Sequence, residues 1–259
     1  MNSNLNKRFW EVDSLRGLAI VMMVVFHFIF DLNYFGIYSF NMYSGFLWWF
    51  ARVTASIFIF LVGVSLSLSY ARTTISSNRP TEKELFLKYL KRGLKIFSYG
   101  LLITAATYIF IGDGFIVFGI LHFIGIAIIL EYVFIKRKYF NLFLGLAFIV
   151  AGIILMRFRF DFYSLLWLGF TPNNFYTVDY FPLLPWLGAV SFGIFLGNTL
   201  YEKYVRQFEL PDLSNNLVVK VSSFLGKHSL LIYLIHQPII IILLLLFGFI
   251  DLSYFFPTL

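Results

Sequence analysis

The chain has 259 residues, of which 60% are hydrophobic and only 13% are charged, and its mean hydropathy is +0.83. A soluble domain is about half apolar and a quarter charged, so this composition excludes an ordinary soluble protein and indicates a polytopic membrane protein. The absence of cysteine excludes disulfides, cysteine metal sites and a thiol nucleophile. The net charge of +7 could suggest a nucleic-acid ligand, but the distribution of the basic residues argues against one.

Seven apolar runs have roughly the 20 residues that a transmembrane helix needs. In chain order they are Leu15–Tyr34, Phe46–Tyr70, Leu85–Ile111, Phe115–Ile135, Phe140–Met156, Phe181–Tyr201 and Ser229–Ile250. The segment Phe160–Phe170 is apolar but too short to span, and its aromatic residues favour the membrane interface. The connecting loops are short. The sequence therefore predicts one all-α domain over residues 1–259 with about seven transmembrane helices.

The basic residues predict the orientation of these helices, because cytoplasmic loops carry an excess of Lys and Arg. With a cytoplasmic N-terminus, 17 of the 20 basic residues fall on the inner side. The outer side then holds Arg52, Arg157 and Arg159. An odd number of spans places the C-terminus outside. In the sixth run, Ala189, Gly193 and Gly197 form a small-residue stripe, which indicates close helix packing rather than a functional site.

The first run, DSLRGLAIVMMVVFHFIFDL, contains ionisable residues that a membrane helix tolerates at a cost. His27 lies about 16 Å along the helix axis from Arg16, and Asp31 follows on the same face at i+4. A carboxylate beside an imidazole is typical of a general base with an orienting group. The alternative is a polar pair that joins two helices. We favour a catalytic role for His27 and Asp31, because intramembrane ionisable residues are usually functional.

Arg52, His122 and His236 are further ionisable residues inside apolar runs. Arg52 lies at a depth where it could neutralise Asp31 or hold a polar substrate. Pro238, two residues after His236, opens the backbone hydrogen bonding of its helix. We expect His27, His122 and His236 to converge on one polar pocket. The spacing of the histidines does not match a metal-binding pattern, so no metal site is expected.

A basic segment, ARTTISSNRPTEKELFLKYLKRGLK, connects the second run to the third. It can act as a topology signal and contact anionic lipid. Its functional interpretation is a cytoplasmic site for a ligand with several phosphates, contacted by Arg16, Arg72, Arg92 and Lys95. The sequence lacks Walker and Rossmann glycine patterns, which argues against a nucleotide triphosphatase.

Four segments resemble the heparan-alpha-glucosaminide N-acetyltransferase catalytic-domain family of transmembrane acyltransferases, over nearly the whole chain. They are DSLRGLAIVMMVVFHFIFDLNYFG, GILHFIGIAIIL, DYFPLLPWLG and GKHSLLIYLIHQP. The resemblance implies acetyl-CoA on the cytoplasmic side and an acceptor, often a sugar, on the far side. Arg16, Gly17 and His27 match the RG...H motif of related acyltransferases. The animal lysosomal enzyme has its catalytic histidine in the loop after the first helix, whereas residues 32–45 contain none, which makes His27 the expected replacement.

We therefore expect a multi-pass acyltransferase of the cell membrane that uses acetyl-CoA or another acyl-CoA as co-substrate, without a tightly bound cofactor. Its partners would be a glycan or lipid-linked sugar acceptor, membrane lipids and a second copy in a homodimer, and no nucleic acid. His27, oriented by Asp31, would act as general base or transient acyl carrier. The substrate would be contacted by Arg52, His122 and His236. A proton-coupled or small-solute transporter is the main alternative, and a non-enzymatic scaffold is the second.

Overall fold

The structure is a computed structural model of the chain, and it describes residues 8–76, 80–251 and 254. These residues form helices and loops and no extended strand. The α-helices, in chain order, are α1 (Trp10–Tyr34), α2 (Gly45–Ile75), α3 (Glu82–Phe110), α4 (Ile120–Tyr132), α5 (Lys138–Leu155), α6 (Leu183–Leu200), α7 (Leu217–Lys227) and α8 (Ser229–Leu246). The predicted all-helical, multi-pass architecture is confirmed.

The chain divides into two compact units. The middle unit is built on Ile59–Glu209, and it contains the second part of α2 together with α3 to α6. The terminal unit combines Asn6–Phe58 with Leu210–Leu259, and it contains α1, the first part of α2, α7 and α8.

Six of the described helices are long and apolar enough to cross a membrane, namely α1, α2, α3, α5, α6 and α8. The fourth predicted run, Phe115–Ile135, forms only the 13-residue helix α4. Such a helix is about 20 Å long, whereas the hydrocarbon core is about 30 Å thick. Residues 115–119 of the predicted run are not helical: Thr104 and Thr107 of α3 hold the backbone of Ile116 by hydrogen bonds, and Phe118 forms an isolated bridge with Tyr180. The cytoplasmic N-terminus stays a prediction.

In the middle unit, small residues let helices approach through their backbones. Gly193 of the predicted stripe lies against α2, where an added Cβ would overlap the carbonyl oxygen of Phe60 and crowd Gly63. One turn later, Gly197 contacts the side chain of Ser67 in the same way. The stripe therefore packs α6 against α2.

In the terminal unit, α1 crosses α7 closely. A Cβ at Gly17 would overlap the carbonyl oxygen of Ser222, and one at Gly226 would overlap that of Asp13. The hydroxyls of Ser14 and Ser222 share a hydrogen bond of 2.6 Å across this crossing. Helix α7 was not predicted from the sequence. It begins at an Asn216 cap whose side chain accepts hydrogen bonds from Val218 N and Val219 N.

Helix α8 packs on the C-terminal half of α1. The core of this contact is formed by Phe35, Ile240, Leu244 and Ile250, with Val24 and Leu32 of α1 packed against it. The same contact brings the polar residues of α1 and α8 together.

Candidate active site

Two histidines meet inside the terminal unit. His27 lies in the second half of α1 and His236 in the middle of α8, and their ring centroids are 4.8 Å apart at an interplanar angle of 62°. His27 is half-buried and His236 is buried. The structure thus brings His27 and His236 together, and the convergence of all three histidines on one pocket stays a prediction.

The hydrogen bonding of His236 identifies its tautomer. Its Nδ1 lies 2.6 Å from the carbonyl oxygen of Tyr233, one turn earlier in α8. A carbonyl only accepts, so Nδ1 carries the proton and Nε2 keeps its lone pair. Nε2 is buried and has no hydrogen-bond partner among the described residues.

Asp31 lies one turn beyond His27, and its carboxylate is held by Gln237. The amide nitrogen of Gln237 donates to both carboxylate oxygens, at 2.7 and 2.8 Å. Among the described residues, no hydrogen bond links Asp31 to His27, so the predicted orientation of that imidazole by Asp31 is not observed. With its amide nitrogen engaged, Gln237 presents its Oε1 as an acceptor, and this buried atom has no partner in the described part of the chain.

Pro238 interrupts the backbone hydrogen bonding of α8 beside this site. It lies inside α8, and it has no N–H with which to bond the carbonyl of Leu234 one turn earlier. The two buried side-chain atoms of α8 that have no partner among the described residues, His236 Nε2 and Gln237 Oε1, are both acceptors. Such surroundings favour a ligand that donates hydrogen bonds, such as a hydroxyl or an amine.

Arg52 belongs to the terminal unit but is engaged elsewhere. Its guanidinium lies 3.6 Å from the ring centroid of Trp48, and Nη1 donates to the carbonyl oxygen of Trp48 at 3.5 Å. Within the described residues it forms no ion pair with Asp31, whose carboxylate is taken by Gln237. A contact between Arg52 and a substrate stays a prediction.

Arg16 lies at the other end of α1, in an ion cluster around Asp13. It donates to Asp13 at 3.0 Å, and Arg8 donates to both carboxylate oxygens of Asp13 at 2.8 Å. Asp13 is only 3% exposed, so these arginines compensate for the burial of its charge. A contact between Arg16 and an acyl donor stays a prediction.

His122 lies in the middle unit, where both of its ring nitrogens are satisfied. Nδ1 accepts from the backbone N–H of Gly119 at 3.2 Å, and Nε2 lies 3.3 Å from the hydroxyl of Thr104. Thr104 donates its own proton to the carbonyl of Ile116, so it accepts from Nε2–H of His122. This neutral imidazole connects α3, α4 and the loop between them. The contacts support a structural role, and the predicted substrate contact stays a prediction.

The remaining predicted residues, Arg72, Arg92 and Lys95, also belong to the middle unit. Arg72 lies in the last turn of α2, and Arg92 and Lys95 lie on α3, with all three side chains exposed. Lys88 donates to the hydroxyl of Thr73, which ties the start of α3 to the end of α2. These residues place positive charge along one end of the two helices.

Some buried polar groups were missed in the sequence. Glu131, only 1% exposed, accepts a hydrogen bond from the hydroxyl of Ser191, and its Oε2 has no partner in the described residues. Asp179 precedes α6, and its Oδ2 accepts from Ile120 N at the start of α4 at 3.2 Å. Burial of this carboxylate raises the pKa of Asp179 to about 6. Glu131 could have been identified from the sequence, because it is a carboxylate inside an apolar run. Asp179 could not, because its hydrogen-bond partner Ile120 is 59 residues away in sequence.

Among the described residues, no three His, Asp or Glu side chains are grouped so that they could hold a metal ion. The described residues do contain a set of apolar helices, two of which, α1 and α8, bring together a pair of imidazoles and a hydrogen-bonded carboxylate. This architecture defines a multi-pass helical membrane protein with an intramembrane polar site.

Residues 8–238 match the family described as heparan-alpha-glucosaminide N-acetyltransferase, catalytic, and the chain belongs to this family. The resemblance seen in the sequence is thereby confirmed, and it implies an acetyltransferase-like function in a membrane. No curated protein and no solved structure matches the chain detectably.

Proposed function

We propose that this protein transfers an acetyl or other acyl group from cytoplasmic acyl-CoA to a hydroxyl or amine of a sugar or envelope glycan. Membership of the acetyltransferase family supports the reaction class. The observation that carries the proposal is the pair of imidazoles of His27 and His236, with ring centroids 4.8 Å apart inside apolar helices. An ionisable side chain inside an apolar helix has an energetic cost, and such residues are therefore usually functional.

The chemistry requires a group that removes a proton from the acceptor. A hydroxyl is a poor nucleophile at neutral pH, and histidine, with an unperturbed pKa of about 6.5, suits proton transfer there. His27 acts either as that base or as a nucleophile that takes the acyl group from the thioester and passes it on. In both routes the bond between the acyl carbon and sulfur breaks, CoA leaves as the thiol, and an ester or amide forms.

The donor is expected to be held by basic residues. CoA carries several phosphate charges, which favour arginine and lysine partners. Arg16, Arg72, Arg92 and Lys95 are the proposed contacts. The exposure of the last three supports this assignment.

The proposal is tested with purified protein, labelled acetyl-CoA and a panel of sugars and amino sugars. Wild-type protein should release CoA and label an acceptor. His27→Ala should lower the transfer rate by at least about 100-fold, the usual lower bound for general acid–base catalysis. The matched control is His228→Ala, because His228 is an exposed histidine at the junction of α7 and α8 and should leave the rate unchanged.

Two results would contradict the proposal. Wild-type protein that binds no acyl-CoA and releases no CoA with any acceptor would favour a transporter. Full transfer by folded His27→Ala protein would remove this residue from the chemistry. Folding of each variant is checked by its elution profile in detergent.

A further inference from the structure

The two histidines of the terminal unit differ in how they are held. His236 donates its Nδ1–H to Tyr233 O at 2.6 Å, whereas His27 forms no hydrogen bond with any described residue. Asp31, the expected orienting group of His27, is bound to Gln237 instead. Only one of the two rings is thus locked in a single tautomer and orientation within the described structure.

A general base needs this kind of arrangement. One ring nitrogen is anchored through its proton, and the other presents its lone pair to the substrate. Resting on the proposed function, we infer that His236 is the general base that deprotonates the acceptor. His27, whose ring is not anchored, is the neighbouring group that contacts the acyl carbon.

The surroundings of His236 match an acceptor substrate. Two buried atoms of the terminal unit have no partner among the described residues, and both, His236 Nε2 and Gln237 Oε1, are hydrogen-bond acceptors. Buried polar atoms without partners are rare, and each requires an explanation. A ligand with two O–H or N–H donors, such as a sugar with neighbouring hydroxyls, would satisfy both atoms. A carboxylate or phosphate at this place would satisfy neither.

In the proposed step, Nε2 of His236 takes the proton of the acceptor hydroxyl while its oxygen attacks the acyl carbon. The bond from that carbon to its leaving group breaks, either the thioester sulfur or a nitrogen of acylated His27. The proton on His236 then passes to the departing group, so that CoA leaves as the thiol or His27 returns as neutral imidazole. The second acceptor hydroxyl donates to Gln237 Oε1, and Asp31 positions that amide.

The test separates proton removal from acyl transfer. His236→Asn can keep an N–H donor directed at Tyr233 O but cannot take a proton. Hydroxylamine attacks acyl groups without a base, so it serves as an acceptor that bypasses His236. Purified wild-type, His236→Asn and His27→Ala proteins are compared with the best sugar acceptor and with hydroxylamine, both with labelled acetyl-CoA.

We expect His236→Asn to lose at least about 100-fold in transfer to the sugar and less than about threefold in transfer to hydroxylamine. His27→Ala should lose both activities. Equal losses of His236→Asn with the two acceptors, or no loss with either, would overturn the inference while leaving the acyltransferase function intact. A wild-type protein inactive with both acceptors would overturn the proposed function and this inference with it.

Discussion

The side chains of Asp31 and Gln237 form a buried amide–carboxylate pair, with Asp31 only 2% exposed. Removing one partner leaves the other buried without a hydrogen bond, whereas removing both leaves no unsatisfied polar group. Asp31→Ala and Gln237→Ala should each destabilise the protein by about 1–3 kcal/mol. The double variant should lose clearly less stability than the two single variants lose in sum.

This prediction is measured as a double-mutant cycle of thermal stability in detergent. The matched control is the exposed pair of Asn173 and Asp161, joined by a hydrogen bond of 2.6 Å, where the coupling should be near zero. Additive losses at the buried pair would show that the two side chains do not depend on each other.

Asp179 gives a prediction about pH. Its pKa is raised to about 6 in the folded protein from an ordinary value of 3.8, because its carboxylate is buried. The folded state therefore binds the proton more tightly than the unfolded state, and the stabilisation present at low pH is lost as pH rises from about 4 to about 6. Asp179→Asn keeps an acceptor for Ile120 N and does not titrate.

The melting temperature of Asp179→Asn minus that of wild type should thus be near zero at about pH 4 and positive above about pH 6. Both temperatures are measured in one detergent across this range. A difference that is the same at both ends of the range would mean that Asp179 has an ordinary pKa in the folded protein.

Single residues of the site could be predicted where one sequence segment carries the signal. His27, Asp31 and His236 are polar residues in apolar runs, and their presence alone indicates a polar site. The partner of Asp31 could not be predicted, because Gln237 lies 206 residues away and only the packing of α8 on α1 brings it near. The hydrogen bonds of the His122 ring were equally hidden, since they depend on a hydroxyl of α3 and on a backbone amide of the loop before α4.

At the level of helices, the close crossing of α1 and α7 depends on Gly17. The resemblance seen in the sequence singles out this glycine, and in the structure it has a packing function. Gly17→Ala should force the helices apart and cost about 1–3 kcal/mol, the usual penalty for an overpacked contact. The matched control is the neighbour Leu18→Ala, since Leu18 is 50% exposed on α1.

Apparent stability in detergent and the yield of monodisperse protein measure this effect. Gly17→Ala protein that is as stable as wild type would show that α7 is free to move away from α1.

Long apolar helices were predictable because their length and hydropathy are properties of the sequence itself. The short helices were not. Helix α4 begins only at Ile120, because hydroxyls of α3 hold the backbone of Ile116, a contact that hydropathy does not register. Helix α7 has 11 residues, too few to stand out as a span, and its stability comes from packing on α1.

At the level of the whole molecule, the first prediction concerns orientation. The excess of basic residues in alternate loops predicts that Lys83 is cytoplasmic and Asn173 is outside. Because the chain has no cysteine, Lys83→Cys and Asn173→Cys each introduce a single thiol, and both positions are exposed. An impermeant thiol reagent should label only Asn173→Cys in intact cells and both variants after permeabilisation. Labelling of Lys83→Cys in intact cells would reverse or disprove the predicted topology.

The second prediction at this level concerns the donor. Arg92→Glu combined with Lys95→Glu should weaken CoA binding at least about tenfold, because each basic residue contributes about 1 kcal/mol to holding an anionic surface. The matched control combines Arg157→Glu with Arg159→Glu, which reverses the charge of two exposed arginines on the predicted outer side. It should leave CoA affinity unchanged. Affinity is measured by titration calorimetry. Equal losses in both double variants would mean that overall charge, and not a site on α3, holds the donor.

The distribution of charge along α3 has a consequence for the surrounding lipid. Every charged residue of this 29-residue helix lies at or before Lys95, and the uncharged remainder is Ile96–Phe110. These 15 residues extend about 23 Å, roughly 7 Å less than the thickness of an average hydrocarbon core. The bilayer beside α3 therefore has to become thinner, or Arg92 and Lys95 have to extend their side chains toward the headgroups. In either case water reaches deeper along the basic end of α3 than along a helix of matched hydrophobic length.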